Sequence, residues 1–110
     1  MLPATVEASG AALTCALAGG HRIEAEGDAA PGAEGWVCVR PERLIFADDG
    51  MPGTLGPATY LGTDTQHQVT LVGGPTLTIR RQNADGGIGA DEGDRIAVRA
   101  APGAARFLTE

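Results

Sequence analysis

The chain has 110 residues, a net charge of −6, and eight cationic side chains that are all arginine. Two long-chain classes are excluded at once: no stretch approaches the roughly 20 apolar residues of a membrane span, and glycine and proline stay below the roughly 25–30% of low-complexity chains. An acidic chain with four aromatic residues also lacks both the cations that neutralise phosphates and the stacking platforms that hold single strands, so nucleic acid is excluded as a partner.

In chain order, apolar residues occur in short bursts bounded by Gly, Pro, Asp or Asn. These predict strands at 3–8, 12–18, 21–26, 36–40, 43–47, 53–61, 66–72, 75–81, 95–100 and 105–108. Val37 and Val39 alternate with Trp36, Cys38 and Arg40; Leu77 and Ile79 alternate with Thr76, Thr78 and Arg80; Ile96 and Val98 alternate with Arg95, Ala97 and Arg99. Each alternation assigns one set to a buried sheet face and the other to solvent. Gly19-Gly20 and Gly73-Gly74 read as hairpin turns that need positive φ. Residues 27–35 and 82–94 read as loops, the second acidic, glycine-rich and expected to be the most mobile part of the chain.

An internal repeat organises the strands. Leu2-Pro3-Ala4-Thr5-Val6 parallels Met51-Pro52-Gly53-Thr54-Leu55, and Leu17-Ala18-Gly19-Gly20 parallels Leu71-Val72-Gly73-Gly74. Val37-Cys38-Val39-Arg40 parallels Ile96-Ala97-Val98-Arg99. The expected fold is all-β: an OB-like or MOP-like small barrel built from two similar, intertwined units, about 1–50 and 51–110, within one domain spanning 1–110. Closure into barrels removes exposed sheet edges.

Catalytic chemistry finds little support. The candidate nucleophiles and bases are Ser9, Cys15, Cys38, His21 and His67, and none stands on a strand–turn–helix elbow. The cysteines read as small buried hydrophobes and the histidines as exposed strand residues, with no zinc-ligand spacing among them. A phosphate-binding P-loop requires a lysine, and the chain has none. Gly87-Ile88-Gly89 cannot complete a dinucleotide fingerprint because Glu92 takes the last glycine's place. The single Gly86–Asp91 match to a calcium-binding nonapeptide reads as a solvated loop. No catalytic or metal-ligating residue is expected.

The most specific string is Val39-Arg40-Pro41-Glu42-Arg43-Leu44. With Tyr60-Leu61-Gly62-Thr63-Asp64 and Gly93-Asp94-Arg95-Ile96, in that order and spacing, it resembles the TOBE domain found at the C-terminus of ABC-importer ATPases, closest to the spermidine/putrescine type. That resemblance implies a regulatory, non-catalytic domain and a parent transport ATPase whose ATP- and Mg-binding domain is absent from this chain. It implies a homodimer through the regulatory domain, contact with the ATPase domain and through it the permease subunits, and a cytoplasmic position at the inner face of the membrane. A small-molecule effector is the further partner it leaves open. Arg40, Pro41, Glu42, Tyr60, Leu61, Gly62, Gly93 and Asp94 become the motif residues, structural or at an interface. Turn chemistry explains each: Pro41 ends the strand that runs to Arg40, Arg40 and Glu42 tie that turn down or pair across units, Gly62 bends the chain after Tyr60, and Gly93-Asp94 turns into the last strand. Gly56-Pro57 departs from the family's unbroken strand and predicts an edge or a bulge. A second reading is a small-ligand module for an oxyanion or a polyamine, the acidic balance favouring the polyamine.

Overall fold

Nine strands account for most of the computed structural model, which describes residues 2–83 and 88–109; part of the expected mobile loop and of the nonapeptide match lies outside the described residues. They are β1 (Leu2–Ala8), β2 (Leu13–Ala16), β3 (Arg22–Ala25), β4 (Glu34–Cys38), β5 (Leu44–Tyr60), β6 (Asp64–Leu71), β7 (Thr76–Gln82), β8 (Arg95–Ala100) and β9 (Arg106–Leu108). Every ladder between them is antiparallel. Two sheets form, in the orders β3-β2-β1-β4-β9 and β7-β6-β5-β8, and curl into two barrels within an envelope of 41 × 25 × 23 Å.

The first sheet closes on itself. Glu26, just past β3, donates its amide to the Ala105 carbonyl at 2.9 Å and accepts from the Phe107 amide at 2.8 Å, a parallel bridge to Arg106. In the second barrel the long strand β5 supplies two ladder partners. Both Phe46 and Met51 oppose Val98 of β8. Between them the chain crosses so close to β8 that a Cβ on Gly50 would lie 2.5 Å from the Val98 backbone. Only glycine fits that crossing. The expected strands 43–47 and 53–61 are therefore one element, broken by this crossing and by a second irregularity between Leu55 and Ala58, where Gly56-Pro57 stands. Proline has no amide for the ladder, and a bulge accommodates that.

The ladders establish the repeat residue by residue. Leu2 pairs with Val37 as Met51 pairs with Val98; Val6 pairs with Cys15 as Leu55 pairs with Val69; Cys15 pairs with Ile23 as Val69 pairs with Leu77. Val37 pairs with Phe107 as Val98 pairs with Phe46. Two expectations are corrected. Val37 is equivalent to Val98 rather than Ile96, a slip of two residues that sequence similarity could not detect because it leaves every side chain on the same face. The sheets also part at residues 39–43, not near residue 50, and the last strand returns to the first barrel.

The equivalent positions form the core. Val6, Cys15, Val37, Leu71, Val69, Ile79 and Val98 are fully buried, with Ile23, Leu55, Leu77, Leu44 and Phe107 close behind. Their alternation with exposed neighbours is the two-residue strand period made visible. The Gly-Gly turns have positive φ at Gly19, Gly20 and Gly73, and they pack against each other across the barrels: a Cβ on Gly19 would meet the Val72 carbonyl oxygen at 2.6 Å.

Candidate functional site

The motif residues occupy three turns. Pro41 opens a 3-10 turn, Pro41–Arg43, that joins β4 to β5 and thus one barrel to the other. Its fixed φ suits a first helical position, and the Arg43 amide closes the turn on the Arg40 carbonyl at 2.9 Å. Arg40 and Glu42 are exposed and make no side-chain hydrogen bond or ion pair among the described residues. This corrects the expectation that they fasten the turn; the backbone does that alone and leaves both charges facing solvent.

Tyr60, Leu61 and Gly62 form the tip of the β5–β6 hairpin. Tyr60 is 79% exposed and Leu61 41%, an arrangement that wastes apolar area unless something covers it. Gly62 takes φ +84°, as the bend requires. Asn83, which the sequence reading passed over, clamps this tip: its amide donates to the Thr63 carbonyl at 2.8 Å, its Nδ2 to the Gly62 carbonyl at 2.7 Å, and its Oδ1 accepts from Thr65 Oγ1. Arg80 Nε donates to Asp64 at 2.7 Å beside it. The exposed aromatic thus projects from a fastened base. Gly93, with φ +93°, and Asp94 make the turn into β8, which β9 follows, so the strand they enter is not the last; the turn is hydrogen-bonded to Leu55 at both its amide and its carbonyl.

The structure brings two of these turns to one side of the second barrel. Tyr60, His67, Arg81, Gln82 and Ile88 line a shallow depression, and Arg81, Gln82 and Ile88 continue into a groove of about 560 Å³ that ends at Glu42. His67 packs its ring edge-on against Phe46, centroids 5.6 Å apart. Burial, then the neighbouring Arg81, holds its pKa below the ordinary histidine value. The Gly93-Asp94 turn lines neither depression.

A separate cleft of about 570 Å³ runs between the barrels, bounded by His21, Arg22 and Glu24 on one side and Asp49, Pro52 and Arg99 on the other. His21 was expected on an exposed strand face. It is instead buried, its Nε2 2.7 Å from the Val72 carbonyl oxygen, because it follows the Gly19-Gly20 turn that abuts the second barrel. Arg22 pairs with Glu7 and Arg99 lies 3.3 Å from Asp49. Cys15 is buried, which raises its thiol pKa, whereas Cys38 is only half-buried, on the outward side of β4. Among the described residues no three His, Cys, Asp or Glu side chains converge as a metal site would need, and no helix is long and apolar enough to cross a membrane.

Two joined β-barrels built from one repeated unit, with the motif residues in the turns, define the class of small all-β tandem-barrel domains. Residues 37–108 match the TOBE domain, and the chain belongs to that family. It is 37% identical over 102 residues to the spermidine/putrescine import ATP-binding protein PotA of Ruegeria pomeroyi, a match covering 88% of this chain. It is 39% identical over 71 residues to PotA 1 of Pseudomonas aeruginosa, covering 59% of this chain. The matches span 28% and 19% of those two proteins, so the chain corresponds to less than a third of either relative. Among solved structures, the cytoplasmic molybdate-binding protein ModG superimposes with a TM-score of 0.83 at 17% identity, over 99% of this chain and 94% of that one. The expected all-β, OB-like tandem fold is therefore the observed one.

Proposed function

We propose that this chain is the regulatory module of the ATP-binding subunit of an ABC importer for polyamines or a similar small solute. In this reading it has no catalytic role of its own. It associates with a second copy, contacts the ATPase domain and, through it, the permease subunits, and works at the cytoplasmic face of the membrane. ATP and Mg belong to the ATPase domain. The similarity to a PotA protein along 88% of the chain carries the reading. The clamped, exposed Tyr60 and its neighbour Leu61 support it, since an apolar tip held in place offers area for a partner to cover. The test replaces the matching segment of the Ruegeria pomeroyi PotA protein with this chain and measures ATP-driven spermidine uptake. Uptake is expected to survive the exchange and to fall on Tyr60→Ala. A folded hybrid with ATPase activity but no uptake in either form would sink the reading.

A second reading, a small-ligand module, is favoured by the cleft between the barrels, where Glu24 and Asp49 face the space. Arg22 and Arg99 line the same cleft, so its charges are balanced and the titration decides between a cationic amine and an oxyanion. Calorimetric titration with putrescine, spermidine, molybdate and sulfate tests it, and absence of heat from all four retires it.

A further inference from the structure

We propose that the outer face of the first barrel around Trp36 is the surface on which two copies of this chain associate. The inference rests on the self-association proposed above and assigns it to a place. It begins with the repeat. Along β9, β4 and β1, the ladder sets Leu108 beside Trp36 and Trp36 beside Pro3, so these three form one row across the sheet. All three belong to the outward-pointing set, whose inward alternates Phe107, Val37 and Ala4 are buried. Pro3 is exposed, Leu108 is 38% exposed and Trp36 is half-covered. Carried through the same ladders, Trp36 corresponds to Ala97 and Pro3 to Pro52, and Ala47, the residue after Phe46, corresponds in sequence to Leu108. The two barrels thus share their inward residues in kind and differ on this outward row, where the first carries a tryptophan and a leucine in place of two alanines. The inward set fills the barrel interior. A large aromatic on the outside of one copy alone gives that face an apolar row, with Leu108 and Pro3, that a second surface can cover.

Charge identifies the occupant. Glu34 stands two residues before Trp36 on β4. Arg106, opposite Cys38 in the ladder, stands at the level two residues after it. Each is displaced about 7 Å along the strand from the apolar row, in opposite directions. Both are exposed, and neither makes a side-chain hydrogen bond or ion pair among the described residues; Glu7 and Arg22 of the same barrel, by contrast, satisfy each other. A two-fold axis lying along the row reverses the strand direction. It sets Glu34 of each copy over Arg106 of the other, with the tryptophans meeting between them. An isologous interface demands this self-complementarity, an acid on one flank and a base on the other. A three-residue apolar row is small, so the association is weak and visible only at high concentration.

Trp36 is the chain's single tryptophan, so its emission reports on this face directly. The experiment follows sedimentation velocity and tryptophan emission of the 110-residue chain from about 5 to about 500 μM. Mass should double and emission shift to the blue over the same concentrations. Glu34→Arg and Arg106→Glu should each weaken association about tenfold or more, and the two together should restore it, because like charges across an interface repel and the exchanged pair attracts again. Both substitutions lie on exposed strand positions, and the restored double variant shows that neither works by unfolding. A chain monomeric throughout overturns the proposal. So does a dimer indifferent to both reversals, which would leave self-association standing on another surface. So does a blue emission already present in the dilute monomer, which would mean that the first barrel covers its own tryptophan. Blue emission that appears only when the chain is joined to an ATPase domain, without doubling of mass, gives the face to that domain instead. Uptake by the PotA hybrid is read separately and survives or fails independently of these outcomes.

Discussion

The two barrels are the same object closed in different ways. In the second, residues 44–46 and 51–54 of β5 flank β8 from within one continuous strand, and every strand comes from residues 44–100. In the first, the counterpart of residues 45–47 is β9 at 106–108, delivered from the other end of the chain and locked by two hydrogen bonds to Glu26. The second barrel is local, whereas the first depends on a contact spanning its whole sequence. A repeat can thus keep its register while giving its two copies different kinetic and mechanical character.

The sharpest way to break that comparison is to weaken the closing strand. Phe107, 5% exposed, is equivalent to the half-buried Phe46. Phe107→Ala should cost about 3–5 kcal/mol, Phe46→Ala clearly less, because the cost follows the cavity left behind; urea denaturation followed by circular dichroism measures both, and equal losses would refute the asymmetry. The paired Gly-Gly turns come next. Gly19→Ala meets positive φ and the Val72 carbonyl oxygen at 2.6 Å, and should cost about 2–4 kcal/mol. Gly73→Ala meets only its φ of +65° and a Gly19 Cα at 3.6 Å, and should cost about 1–2 kcal/mol.

A smaller effect separates the barrels by pH. Position 67 corresponds to Leu13 through the β2–β3 and β6–β7 ladders, so the second barrel carries a histidine where the first has a buried leucine. The His67 pKa lies below its unfolded value, so on acidification the unfolded chain takes up its proton first. The associated stability is complete above the unfolded pKa of about 6.5 and declines as pH falls below it. The decline should be shallow, because the ring is only partly covered. His67→Leu should flatten it, and thermal melts between neutral and mildly acidic pH decide. The smallest effect is chemical: a thiol reagent should label Cys38 in the folded chain and leave Cys15 until unfolding. Equal labelling rates would contradict the burial difference.

Much of this was legible in the residues because strand physics is written at a two-residue period. The alternation around Val37, Leu77 and Val98 placed those side chains inward, and Gly19-Gly20 and Gly73-Gly74 marked the hairpins. Pro57 announced its bulge by lacking an amide. The same period hid the register between β4 and β8, since a slip of two residues changes no face. The closing contact of β9 with Glu26 left no local trace, so the division between barrels was misplaced. His21 looked exposed because its partner, the Val72 carbonyl, is 51 residues away. Of the motif residues, Gly62 and Gly93 adopt positive φ in turns, and Pro41 opens a 3-10 turn just beyond β4, which ends at Cys38 and not at Arg40. Asn83 escaped notice because its three hydrogen bonds go to a hairpin tip some twenty residues earlier.

The lock formed by Glu26 also sets a schedule. During synthesis, residues 44–100 can complete their barrel once β8 has left the ribosome, while β1 to β4 wait with one ladder edge of β4 unpaired. An unpaired strand edge invites other chains, so the first barrel passes through a brief period of vulnerability that ends only when Arg106–Leu108 emerges.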